Sequence, residues 1–121
     1  MVFTMNEVEK LKVLKRRFVG RVIRSAERDS DCIVINKANI EDIHFDMDSE
    51  SIVVLSNCEQ FNPILELDCS ARGKMIALEE LERRLDAFNA PRIVEHDGIK
   101  SVGWTFNKSS DELEKMLKER T

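Results

Sequence analysis

The chain has 121 residues, 42% of them hydrophobic and 35% charged, with 19 Lys/Arg against 23 Asp/Glu for a net charge of −4. That size and mixture describe one ordinary soluble domain and exclude both a disordered chain and a repeat array. The longest unbroken apolar runs are four residues (Cys32–Ile35, Ile52–Leu55, Met75–Leu78), against the roughly 20 that span a bilayer, and residues 1–25 have no continuous apolar core, so no membrane span or export signal is expected and the cytoplasm is the expected compartment.

Thr4 and Glu7 form a capping box that opens a helix from about Met5 to Arg17. Met5, Val8, Leu11, Leu14 and Phe18 recur every three or four positions and draw one apolar stripe. Lys10, Lys12, Lys15, Arg16 and Arg17 are left mainly for the other faces, and cations in the last turn also suit the helix dipole. From Phe18 to Cys69 the helical period gives way to Val- and Ile-rich segments separated by polar turns. Phe18–Ser25 and Cys32–Asn36 flank the polar stretch Ala26–Asp31 as one hairpin, and Ile40–Asp46 and Ser51–Asn57 flank Met47–Glu50 as a second. A fifth strand from about Phe61 to Cys69 puts Phe61, Pro63, Leu65, Leu67 and Cys69 on one face and Asn62, Glu66 and Asp68 on the other. Pro63 lacks an N–H, so this strand starts late or lies at an edge.

After the loop Ser70–Lys74, apolar residues at Met75, Leu78, Leu81, Leu85 and Phe88 restore the helical period, supported by the i,i+4 pairs Glu79/Arg83 and Glu80/Arg84. This helix ends before Pro91, and Arg92–Glu95 and Ile99–Phe106 flank the tight turn His96-Asp97-Gly98. Ser109 and Glu112 form a second capping box, launching a last helix to about Glu119 with Leu113, Met116 and Leu117 on its apolar side. The expected fold class is α+β: an antiparallel sheet of about five to seven strands with an N-terminal, a central and a C-terminal helix, forming a single domain over residues 1–121.

No motif has a spacing that dictates a reaction. Cys69-Ser70-Ala71-Arg72-Gly73-Lys74 lies between a strand and a helix, where backbone amides can hold a phosphate. A P-loop, however, needs a Gly and a Ser or Thr where this chain has Asp68 and Met75, so a plain loop with solvated cations is expected. Asp42, His44, Asp46 and Asp48 alternate along a strand and share a face, but a strand presents ligands in a row rather than around an ion, and the turn lacks the Gly of a calcium loop. Cys32, Cys58 and Cys69 have neither disulfide nor metal-knuckle spacing; Cys32 and Cys69 are expected to pack inertly, with Cys58 the most exposed. No metal or cofactor is expected. The segment Met75–Trp104, in which Leu78–Leu85 is followed by a tight hairpin, resembles the helix and wing of winged-helix DNA-binding domains, yet only Asn89–Pro91 separates helix and hairpin, leaving no recognition helix.

Charge is divided along the chain: residues 1–25 sum to +5, residues 26–70 to −9 and residues 71–121 to zero. Such opposed blocks either dock on each other within the fold or steer a charged partner to one face. Lys12, Arg16, Arg17, Arg21 and Arg24 are the candidate partner-facing or subunit-facing residues, because they continue past the helix into the next segment. In topology alone the order of elements resembles the small acidic chaperones that escort secretion effectors, which implies an interaction role. The expected function is therefore a non-catalytic protein-interaction or chaperone-like adaptor module, a homodimer or bound to a protein partner. The alternatives are a nucleic-acid-associated protein using the basic N-terminal block and, third, a small enzyme with an unassigned site.

Overall fold

The computed structural model describes residues 3–119. Its elements are α1 (Met5–Phe18), β1 (Val22–Asp29), β2 (Cys32–Asp46), β3 (Ser51–Ser56), β4 (Leu65–Asp68), α2 (Lys74–Asp86), β5 (Ile93–His96), β6 (Ile99–Phe106) and α3 (Ser110–Glu119), with short 3-10 turns at Glu59–Phe61 and Ala87–Asn89. The class is α+β with three helices, and the six strands run in the order β4-β3-β2-β1-β6-β5, so β4 and β5 are the two edges. The backbone divides into two compact units: the chain up to Arg21 with Asn39–Leu85, and Val22–Ala38 with the chain from Asp86 onward. No helix among the described residues is long and apolar enough to cross a membrane.

In the first unit, Thr4 Oγ1 accepts from the Glu7 N–H (3.2 Å) while the Glu7 carboxylate accepts from the Thr4 N–H (2.7 Å), the reciprocal box that the sequence predicts. The helix runs one residue further than expected, to Phe18, and Gly20, at a φ of 89°, turns the chain away. Phe18 to Arg21 is thus helix end and connection; the first strand begins at Val22. Leu14 and Phe18 of α1, Leu78, Leu81 and Leu85 of α2, and Ile43, Ile52 and Val54 of the strands are fully buried. Each such side chain contributes about 1.5–3 kcal/mol by leaving water. β2 pairs with β3 (Ile43↔Val54, Phe45↔Ile52) and β3 with β4 (Ile52↔Leu67, Val54↔Leu65).

The second unit packs Ala26, Val102, Leu113 and Leu117 into a buried cluster, with Ile33, Ile35, Ile93 and Met116 against it. α3 starts at the second predicted box: Ser109 Oγ accepts from the Glu112 N–H at 3.1 Å. The β5–β6 hairpin turns on Asp97 and Gly98, both at positive φ (52° and 79°), as a two-residue primed turn requires.

Three expectations about the sheet need correction, and each has a local cause. Cys32–Asn36 and Ile40–Asp46 are one strand, β2, because Lys37-Ala38-Asn39 contains no Gly or Pro and its single Asn39 does not break the ladder. A bulge between Ile40 and Asp42 breaks the alternation there, so Ala38, Ile40 and Ile43 are all buried although the last is three residues on. The stretch Ala26–Asp31 is mostly strand: β1 runs to Asp29 and a bulge between Arg24 and Ala26 lets Ile23 and Ala26 both face inward. The fifth strand shrinks to Leu65–Asp68, since Glu59–Phe61 turns as a 3-10 helix and Pro63 has no N–H to give a ladder. β4 therefore starts late and also lies at an edge, both consequences read from Pro63.

Candidate functional site

The predicted cations divide between the units. Lys12, Arg16, Arg17 and Arg21 belong to the first, Arg24 to the second. On α1, Lys12 is exposed, 3.7 Å from Glu9, and Arg16 is exposed. Arg17 is engaged twice: Nη1 donates to Glu82 Oε2 at 2.7 Å and its guanidinium lies 4.6 Å over the Phe18 ring. Arg21 sits half-buried in the connection after Gly20, its N–H donating to the Phe18 carbonyl (3.2 Å) and its carbonyl accepting from Ile40 (3.0 Å). Arg24 Nη1 donates to the Lys108 carbonyl at 3.1 Å. Lys10, 2.6 Å from Glu82, and Lys15, 3.6 Å from Asp42, add to the internal pairing. Part of the basic block thus meets acidic side chains within its own unit, leaving Lys12 and Arg16 as its outward-facing members on α1.

The Ser70–Lys74 loop departs from the expected pair of solvated cations. Lys74 is buried, with Nζ 5.0 Å from the Phe3 ring centroid and 5.6 Å from that of Phe45. The loop amides are also occupied: Ser70 N–H donates to Asp68 Oδ1 (2.8 Å) and Gly73 N–H to the Cys69 carbonyl (3.1 Å). Those two bonds leave fewer donors for an anion. Cys32 is exposed and Cys58 only half-buried, the reverse of the expected ranking, because Cys32 stands on the outward face at the start of β2. Cys69 is buried as expected, and burial pushes its thiol above the ordinary value. Among the described residues no group of three or more His, Cys, Asp or Glu is placed to hold a metal ion.

A surface that combines backbone donors, apolar side chains and charge lies along β4. Cys69 N–H donates to the Glu50 carbonyl at 2.8 Å, and with Leu67 opposite Ile52 and Leu65 opposite Val54 the antiparallel ladder alternates. Leu65 and Leu67 therefore bond to β3, while the N–H and C=O groups of Glu66 and Asp68 turn toward the open edge. Beside that edge runs a groove of about 260 Å³, lined by Leu67, Asp68, Arg72, Ile76, Ala77, Glu80 and Arg83. Ile76, in the first turn of α2, is 46% exposed. Arg83 is bound to Glu80, and Arg84 Nε lies 3.5 Å from the same carboxyl; that pairing, Arg83 first, holds the Glu80 carboxyl below the usual range. Asp68 is likewise held below the usual carboxylate range by the Ser70 N–H.

The groove residues were not singled out in the sequence, but one signal was there. Ile76 falls outside the stripe Met75, Leu78, Leu81, Leu85 of its own helix, and an isoleucine off the buried stripe must either pack elsewhere or face solvent. No family model matches this chain, and neither does any curated protein or solved structure.

Proposed function

We propose that this protein is a polypeptide-binding module that takes up an extended segment by strand addition to the open edge of β4. The observation that carries this reading is the juxtaposition of outward backbone groups at Glu66 and Asp68 with the groove along α2. An added strand draws affinity from main-chain hydrogen bonds and specificity from alternate side chains, and here every second side chain would enter the groove over Leu67, Ile76 and Ala77. The exposed cations Lys12 and Arg16 supply a second, charged contact for a protein partner or a second copy.

Selection of random peptides displayed on phage against the folded protein, followed by amide chemical-shift mapping, tests this reading. Selected peptides should shift the amides of Glu66, Asp68, Ile76 and Glu80, and Ile76→Asp, at an exposed position, should abolish those shifts without lowering stability. Selected peptides that map away from β4 and α2, or that bind the Ile76→Asp variant as well as the parent, would overturn it.

A further inference from the structure

Resting on the β4 reading, the charge pattern of the edge narrows what it can accept. β4 has two chemically different faces. Leu65 and Leu67 share one with Ile52, Val54, Ile43 and Phe45, the face that leads into the groove. Glu66 and Asp68 share the other, in rows that continue across the sheet as Glu66–Val53–His44 and Asp68–Ser51–Asp46. Glu66 and Asp68 are both exposed, and β4 lies within the stretch of residues 26–70 whose charges sum to −9.

Any strand laid against β4 stands about 4.8 Å away and alternates with the same period of two. Its residue beside Leu67 points to the groove face; its residues beside Glu66 and Asp68 point to the acidic face. Of the charged residues along the groove, Arg83 is bound to Glu80, and the Asp68 carboxylate accepts from the Ser70 N–H. The apolar members Leu67, Ile76 and Ala77 select an aliphatic side chain by shape. The outer face selects by sign, because cross-strand opposite charges attract and like charges directly opposite repel.

The same register disfavours a second copy of this strand. An antiparallel β4–β4 pair centred on Leu67 would set Glu66 of each copy against Asp68 of the other, two like-charge contacts in four residues. Acidic side chains on an edge act here as a guard against self-pairing and as a filter for a partner of the opposite sign.

We infer that the segment recognised at β4 is an extended stretch alternating basic and apolar residues, with Lys or Arg beside Glu66 and Asp68 and an aliphatic side chain between them seated over Leu67 and Ile76.

The test uses the full chain and three fluorescein-labelled synthetic peptides, Gly-Thr-Lys-Val-Lys-Val-Thr-Gly and its counterparts with both Lys replaced by Thr or by Glu. Binding is followed by fluorescence anisotropy, and its location by amide chemical shifts. The Lys peptide should bind about tenfold more tightly than the Thr peptide, as two favourable cross-strand pairs imply, with the Glu peptide weakest. Raising salt from about 50 to about 500 mM should narrow that gap, since the paired charges are exposed. In the Glu66→Lys/Asp68→Lys variant, checked for folding by circular dichroism, the order of Lys and Glu peptides should invert. If the Thr and Lys peptides shift β4 amides with equal affinity, or the order survives charge reversal, the basic–apolar inference is overturned and strand addition stands. If none of the three shifts a β4 amide while displayed peptides of other pattern do, the inference again falls alone. If no peptide of any kind maps to β4, strand addition falls and the inference with it.

Discussion

Lys10 Nζ lies 2.6 Å from Glu82 Oε1, tying α1 to α2 through a pair in which each side chain is about a quarter exposed. Arg17 reaches the other oxygen of the same carboxylate at 2.7 Å, so one acidic residue on α2 takes two of the seven cations at the start of the chain.

That arrangement makes stability depend on pH through Glu82. Its carboxyl is held below the ordinary 4.5, first by the Lys10 hydrogen bond and then by the charges of Lys10 and Arg17, against some cost from desolvation. A depressed acid stabilises the fold above its unfolded pKa, and that contribution is lost as pH falls through the folded value. Glu82→Gln should therefore lower stability by about 1 kcal/mol at pH 7. The difference from the parent should shrink once pH drops below about 4.5. Urea melts of both proteins at pH 7 and pH 3 check this; an equal gap at the two pH values would assign the loss to shape rather than charge.

The two fully buried apolar residues of α3 give a second prediction. Leu113 and Leu117 close the cluster around Ala26 and Val102. Leu117→Ala should cost about 2–5 kcal/mol, the range for a large-to-small change in a packed core. Ala26→Leu, overfilling the same cluster, should cost about 1–3 kcal/mol. Chemical denaturation reads both, and a neutral Ala26→Leu would mean that the space around β1 is looser than its complete burial indicates.

Those same residues show how far the fold is legible in sequence. Helices with a cap and a full apolar stripe, such as Thr4–Phe18 and Ser109–Glu119, read directly, because the cap chemistry and the 3.6 period agree. The turn at Asp97-Gly98 reads for the same reason, its residues being those that tolerate positive φ. The sheet misleads at its bulges. At Arg24/Ala26 and Ile40/Asp42 an extra residue reverses which parity faces inward, so a period-two reading breaks a continuous strand in two or dismisses buried Ala26 as loop. The β4 groove is legible only in part: Pro63 marks the edge, but the cleft depends on how α2 lies beside it, which no local pattern encodes.

Thiol reactivity separates the three cysteines by exposure. Cys32 should be alkylated fastest by iodoacetamide, Cys58 more slowly, and Cys69 only on unfolding, since burial both blocks access and disfavours its thiolate. Mass spectrometry of tryptic peptides over a time course gives the order. Labelling of Cys69 in the native protein at the rate of Cys32 would show that the region around β4 opens readily.

The last prediction concerns the cations that internal pairing does not absorb. Of the α1 set, Lys10 and Arg17 hold Glu82 and Lys15 faces Asp42, so reversing any of these disturbs the fold as well as the surface. Lys12 and Arg16 are different: Lys12 has a loose contact to Glu9, with both side chains more than 60% exposed, and Arg16 is exposed. Surface changes of this kind move stability by no more than about 0.5 kcal/mol. If these residues face a protein partner or a second copy, Lys12→Glu/Arg16→Glu should leave the melting temperature within about 2 °C of the parent yet weaken association several-fold. Unmodified protein should show the same weakening as salt rises, because exposed charge pairs are screened over about 10 Å at 0.1 M. Sedimentation equilibrium at low and high salt measures self-association, and chemical cross-linking in cells followed by mass spectrometry measures partner capture. Arg17→Glu serves as the contrast, since it opposes Glu82 and should lower stability itself. A double variant with unchanged mass, unchanged cross-links and the parent's salt response would reduce Lys12 and Arg16 to the solvated side of an amphipathic helix.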